Sequence, residues 1–192
     1  MTPRNFFARG LSILGHPALL MPLAVVGSAL VQGAPPQVVR VAAAACGVVA
    51  ISVGVYSMLQ VRAGRWEHVD ASAPNERGQL HRLLLLLLFG MPGLLWWMGQ
   101  PRVLVVGLAI TGGVVAVARQ LRRWLKVSLH AAFAAFAAGL LWPNLPVAVA
   151  CTLLAVGVAW SRRVLGRHSW DEVLVGLLLG AVAGLVFHGL AR

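Results

Sequence analysis

Near its C-terminal end the sequence places Ser161 and Arg162, then His168 after five residues, then Glu172 after three more. His and Glu four residues apart stack on one face of a helix. A carboxylate bonded to one imidazole nitrogen fixes the tautomer and leaves the other nitrogen free to attack, the logic by which a triad orients its base. His168 is therefore the candidate nucleophile and Glu172 its candidate orienting group, with Asp171 as a competing partner that the sequence leaves open. Arg162, Arg163 and Arg167 crowd the same dozen residues, so the electrophile expected there is a phosphoryl group.

Two further polar segments carry compatible chemistry. Lys126, Val127, Ser128, Leu129 and His130 stand immediately before an apolar run. A helix starting there offers free N–H groups and a positive dipole end to phosphate oxygens, while Lys126 adds charge and Ser128 a hydrogen bond. His130, at the membrane edge, is the candidate general acid for a leaving alkoxide. The segment from Arg65 to Arg82 carries Glu67, His68, Asp70, Glu76 and Arg77 in a Pro-containing loop, with Arg77 as the extra phosphate ligand. His68, Glu67 and Asp70 match no specific metal-ligand spacing, so no metal and no cofactor is assigned.

The elements that must position these groups are membrane helices. The 192-residue chain is 59% hydrophobic and 11% charged, with a mean hydropathy of +0.83 and only five acidic residues, which leaves little room for a soluble domain. Cys46 and Cys151 each lie in an apolar run and read as small buried hydrophobes. The net charge of +11 does not point to nucleic acid, because the basic residues are not interleaved with stacking aromatics. Lipid head groups or phosphorylated substrates are the expected partners.

Apolar runs predict seven spans, at about 17 to 33, 37 to 61, 82 to 98, 102 to 118, 127 to 142, 145 to 161 and 172 to 190. Period-2 alternation is missing, which argues against a β-barrel. Residues 1–15 read as an amphipathic lead-in lying in the interface, followed by a retained first span rather than a cleaved signal. Seven spans put the N-terminus and the 62–81, 119–126 and 162–171 loops on one side, so all the polar chemistry shares a face. All but Arg40, Arg102 and Arg192 of the 16 Lys and Arg fall there. By the positive-inside rule that face is cytoplasmic, although phosphate-binding cations would gather at an active site whichever way it faced. The expected fold class is all-α, a polytopic transmembrane bundle of six or seven spans forming a single domain over 1–192, with a lead-in and two spans over 1–61 and a core over 62–192.

At these positions the chain resembles the type 2 phosphatidic acid phosphatases, a superfamily with membrane and soluble, haloperoxidase-like members that share a helical-bundle core. The family's third signature, Ser-Arg, five residues, His, three residues, Asp, is met by Ser161, Arg162, His168 and Glu172, with Glu for Asp. The second, Pro-Ser-Gly-His, is met by Ser128 and His130, with Val127 and Leu129 in place of Pro and Gly. The first, Lys, six residues, Arg, Pro, keeps Arg77 but has Asp70 for the Lys and Gly78 for the Pro. The resemblance covers roughly residues 62 to 185 by motif placement. It implies that His168 attacks phosphorus, Glu172 orients it and His130 protonates the leaving oxygen. Arg77, Lys126, Ser128 and Arg162 would bind the phosphoryl oxygens, Lys126 replacing the missing lysine, and no metal is then required.

The expected protein is thus an integral-membrane phosphatase of a bacterial-type cell membrane. Its substrate would be a polyprenyl or glycerolipid phosphate or diphosphate, bound with the tail in lipid. The alternative is a noncatalytic lipid-phosphate carrier or assembly subunit that retains an anion site.

Overall fold

A computed structural model describes residues 3–69, 71 and 73–191, and among these the regular structure is entirely helical. Eight helices follow in order: α1 (Pro3–Leu14), α2 (Pro17–Val31), α3 (Pro36–Arg62), α4 (Pro74–Trp97), α5 (Arg102–Leu121), α6 (Leu129–Leu140), α7 (Leu145–Val164) and α8 (Trp170–Leu190). Proline opens α2, α3, α4 and α7 within their first turns, where its fixed φ suits the helix and its missing N–H costs nothing.

Among the described residues five helices, α3, α4, α5, α7 and α8, are long and apolar enough to cross a membrane, and the pair α1 and α2, bent by 49° at the break between them, adds a sixth only when counted as one span. The seven full spans read from hydropathy are therefore reduced. The predicted 17–33 span is the 15-residue α2, and the predicted 127–142 span is the 12-residue α6. At 1.5 Å per residue α6 covers about 18 Å, well short of the hydrocarbon core. It needs no greater length because it is sheathed in protein: eight of its residues, among them Phe133 and Phe136, are buried.

Three contacts fix the directions. Gly176 of α8 lies against Ser128, Gly180 against Ala132 and Gly184 against Gly139, so α6 and α8 run parallel, in contact at every turn. Glycines spaced by four on α8 permit this approach: a Cβ on Gly180 would run into the Ala132 carbonyl, and one on Gly176 would lie 2.6 Å from the Ser128 oxygen. Ser28 near the end of α2 donates to the Leu140 carbonyl at 3.1 Å, and His16 just before α2 meets His130 at the start of α6, so α2 runs alongside α6 in the same sense. The described residues between α3 and α4, the segments 121–129 and 164–170 and the α1–α2 elbow consequently share one end of the bundle. Trp124 and Trp170 are exposed at that end and Trp96, Trp97 and Trp142 at the other, where two membrane interfaces place indoles.

Candidate active site

The sharp turn after α7 begins the site. Gly166, at φ +63°, occupies the left-handed position that ends the helix, with Gly166 N–H donating to Arg163 O and Arg167 N–H to Arg162 O. The chain then needs only Arg167 and His168 before Ser169 caps α8. Ser169 Oγ accepts from Glu172 N–H at 3.3 Å, and Glu172 Oε2 accepts from Ser169 N–H at 3.1 Å, a reciprocal capping box. The same Glu172 oxygen accepts from His168 Nδ1 at 2.9 Å. Asp171 points away as an exposed residue, so the choice left open by sequence falls to Glu172.

His168 Nδ1 also lies 3.1 Å from the Lys126 carbonyl. A carboxylate and a carbonyl can only accept, so Nδ1 carries the proton and Nε2 holds the lone pair of the neutral ring. Burial pushes the imidazole below its ordinary pKa, helped by Arg162 and Lys126 and opposed by the Glu172 hydrogen bond. The backbone of this short loop is pinned from both sides: Arg163 Nη1 donates to His168 O at 2.7 Å, and Lys126 Nζ donates to Arg167 O at 3.0 Å. Partial burial also lowers the Lys126 ammonium, with Arg77 adding to the shift and Glu172 opposing it.

A cavity of about 940 Å³ opens at this end of the bundle. Its polar mouth is lined by Arg77, Lys126, His130, Arg162 and His168. Its interior continues between α2, α3, α4, α5 and α6 along apolar walls that include Met21, Val49, Leu88, Leu108 and Phe133. A shape of this size, with convergent charge at one end and hydrocarbon walls beyond, fits an amphipathic ligand with an anionic head.

Several predicted residues sit differently from their sequence reading. Arg77 is not in a loop: α4 begins at Pro74, two turns before the hydropathic run, because Glu76 turns back to accept from Ala73 N–H at 3.0 Å and from Glu67 N–H at 2.9 Å. Ser128 stands at the N-cap position of α6 without a capping side-chain bond and is fully buried behind the cavity wall, its N–H donating to Glu172 O and its Oγ without a partner. Ser161 donates to Val158 O at 2.7 Å, a contact within its own helix. Asp70 lies outside the described residues. His68 and Glu67 are exposed, and no three His, Cys, Asp or Glu side chains among the described residues are grouped to hold a metal ion.

Two residues at the α1–α2 elbow were missed. Arg162 Nη1 donates to Ser12 Oγ at 2.8 Å, and the His16 ring meets His130 edge to face, centroids 5.1 Å apart and planes at 87°. Only the unusual Gly-His-Pro at 15–17 hinted at them. Arg163, which reads as an ordinary flanking charge, is the residue that holds the His168 carbonyl.

No curated protein and no solved structure matches the chain at a significant level. A family model, that of the PAP2 superfamily, matches residues 112–192, which hold the second and third polar segments, the second half of α5 and α6 to α8. Motif residues, helical architecture and family match agree, and the similarity of residues 112–192 to the PAP2 superfamily supports a type 2 phosphatidic acid phosphatase-like family.

Proposed function

We propose that this chain is an integral-membrane lipid phosphatase that cleaves the phosphate monoester or diphosphate of a polyprenyl or glycerolipid substrate through a phosphohistidine. The observation that carries this reading is the His168 ring, held by Glu172 and the Lys126 carbonyl at the mouth of a cavity whose inner walls are hydrocarbon. The head group enters among Arg77, Lys126 and Arg162, and the tail follows the apolar leg. The first amides of α6 add the positive end of a helix.

The His168 Nε2 lone pair attacks phosphorus and the bond from phosphorus to the lipid oxygen breaks, with a proton from His130 passing to that oxygen. The phosphoryl group's own negative charge supplies the counter-ion that a protonated His130 needs. Glu172 balances the positive charge that grows on the imidazole as the P–N bond forms. Water then attacks phosphorus and gives its proton to His130. The P–N bond breaks, inorganic phosphate leaves and His168 is regenerated. The guanidinium and ammonium groups stabilise the charge spread over the equatorial oxygens, so every step runs through the chain's own residues.

Release of inorganic phosphate from a panel of lipid phosphates, with and without chelator, tests this reading beside His168→Ala. We expect release by the parent protein that chelator does not change, and its loss in H168A. Undiminished turnover in H168A would sink the nucleophile assignment. Binding without turnover of any substrate would support the carrier instead.

A further inference from the structure

The matched region begins at residue 112, yet the opposite end of the chain reaches the same site. Helix α1 is docked on α7 by close-fitting small residues. Ala8 is fully buried, Gly157 receives Leu11, and a Cβ on Gly15 would collide with the Val158 side chain. This docking brings Ser12 to Arg162, 150 residues away in sequence, through the 2.8 Å hydrogen bond. At the elbow, His16 is fixed in turn: its Nδ1 accepts from Ala18 N–H at 3.2 Å and so caps α2, while Pro17 stiffens the next step. Thus held, its ring stands edge to face with that of His130. Ser12 and His16 both line the cavity, beside Arg162 and His130.

Each contact constrains a group whose reaction geometry is otherwise loose. An arginine carries several rotatable bonds, and tying one Nη to a hydroxyl reduces the freedom it would lose on binding a phosphoryl group. A histidine in the first turn of α6 can swing its ring about χ2, and an aromatic edge against it selects one plane. We propose that Ser12 and His16 are positioning residues of the hydrolytic site, Ser12 for the Arg162 guanidinium and His16 for the His130 ring, so that the α1–α2 elbow is a working part of the site. This rests on the phosphatase reading above.

The test compares S12A, S12T, H16A, H16F and H16N with the parent full-length protein in detergent, using one lipid phosphate on which the parent is active. A T-shaped pair is worth up to about 1.5 kcal/mol, or roughly tenfold in rate. We expect H16A to lower kcat by about that factor with KM little changed. H16F, which restores a ring edge against His130, should recover most of it. H16N restores the cap of α2 without a ring and should not. S12A should raise KM several-fold and S12T, which keeps the hydroxyl, should restore it. Recovery by H16N and not by H16F would show His16 to be only a helix cap and overturn the proposal. So would unchanged kcat and KM in S12A and H16A. A parent protein that releases no phosphate from any lipid phosphate overturns the phosphatase reading itself, an outcome seen before any variant is compared.

Discussion

Glu172 does two things with one oxygen: Oε2 closes the capping box at the start of α8 and receives the proton side of His168. The third residue of a helix is where a glutamate side chain reaches back to the cap. That gives a structural reason for Glu where the family signature has Asp. Because glutamine also closes a capping box, Glu172→Gln should keep α8 intact and remove only the charge. We expect kcat to fall by roughly a hundredfold or more, by analogy with the loss of a triad carboxylate, while Asp171→Asn changes it less than about twofold. Steady-state kinetics with a thermal melt separate the two effects. The pH profile carries a sign. The reactive form of His168 is neutral and burial lowers its pKa, so activity should persist as pH falls through the ordinary histidine value and be lost only as pH falls through the lowered one. In E172Q the hydrogen bond that raises the pKa is weakened, so the acid limb of kcat/KM should move further toward low pH. A limb moving toward neutrality would contradict the assignment.

Among the elements, α6 and α8 form the frame on which the site is built. The close parallel approach sets the start of α6 beside the start of α8, which is how Ser128 N–H reaches Glu172 O and the Lys126 carbonyl reaches His168. Glycines 176, 180 and 184 allow it. Gly180→Ala would drive a methyl into the Ala132 carbonyl, an overpacking that costs about 1–3 kcal/mol, so the melting temperature should fall by several degrees in the same detergent. Alanine at Gly113, where no atom beyond the helix's own adjoining backbone lies within 4 Å of the added carbon, serves as the control and should not lower the melting temperature. Hydropathy located these helices but misjudged their ends. Apolar counting starts α4 at Arg82, whereas the helix begins at Pro74, where proline and Glu76 supply the start signal in a polar sequence. It likewise made α6 a full span, because a short helix wrapped in protein and a longer one facing lipid are equally apolar.

For the molecule as a whole, the cavity joins a cationic mouth to an apolar interior in which α3 is the most lipid-exposed wall, only 17% of its apolar window being buried. Filling the interior should therefore affect substrates by their tails. Ala50→Trp, on the α3 wall, should raise KM for a long-chain lipid phosphate by roughly tenfold while leaving a short-chain, water-soluble phosphate ester little changed. An equal loss on both substrates would mean that the tail does not occupy that space.

The sequence by itself determined the class of molecule and the local half of the site. Apolar runs demanded a helical membrane protein, and an alternation of spans put the polar segments on one face. The four-residue spacing of His168 and Glu172 could be read because helix geometry makes neighbours of residues that close together. Contacts between distant segments could not be read this way. Whether Glu172 or Asp171 meets His168 depended on the Gly166 turn and the capping box together. Ser12 and His16 could not be placed beside Arg162 and His130 because nothing in a run of apolar residues says which helix will pack against which. That was decided by the fit of Gly15 and Gly157 between α1 and α7 and of three glycines between α6 and α8, where the absence of a Cβ lets backbones approach and brings remote side chains within bonding distance.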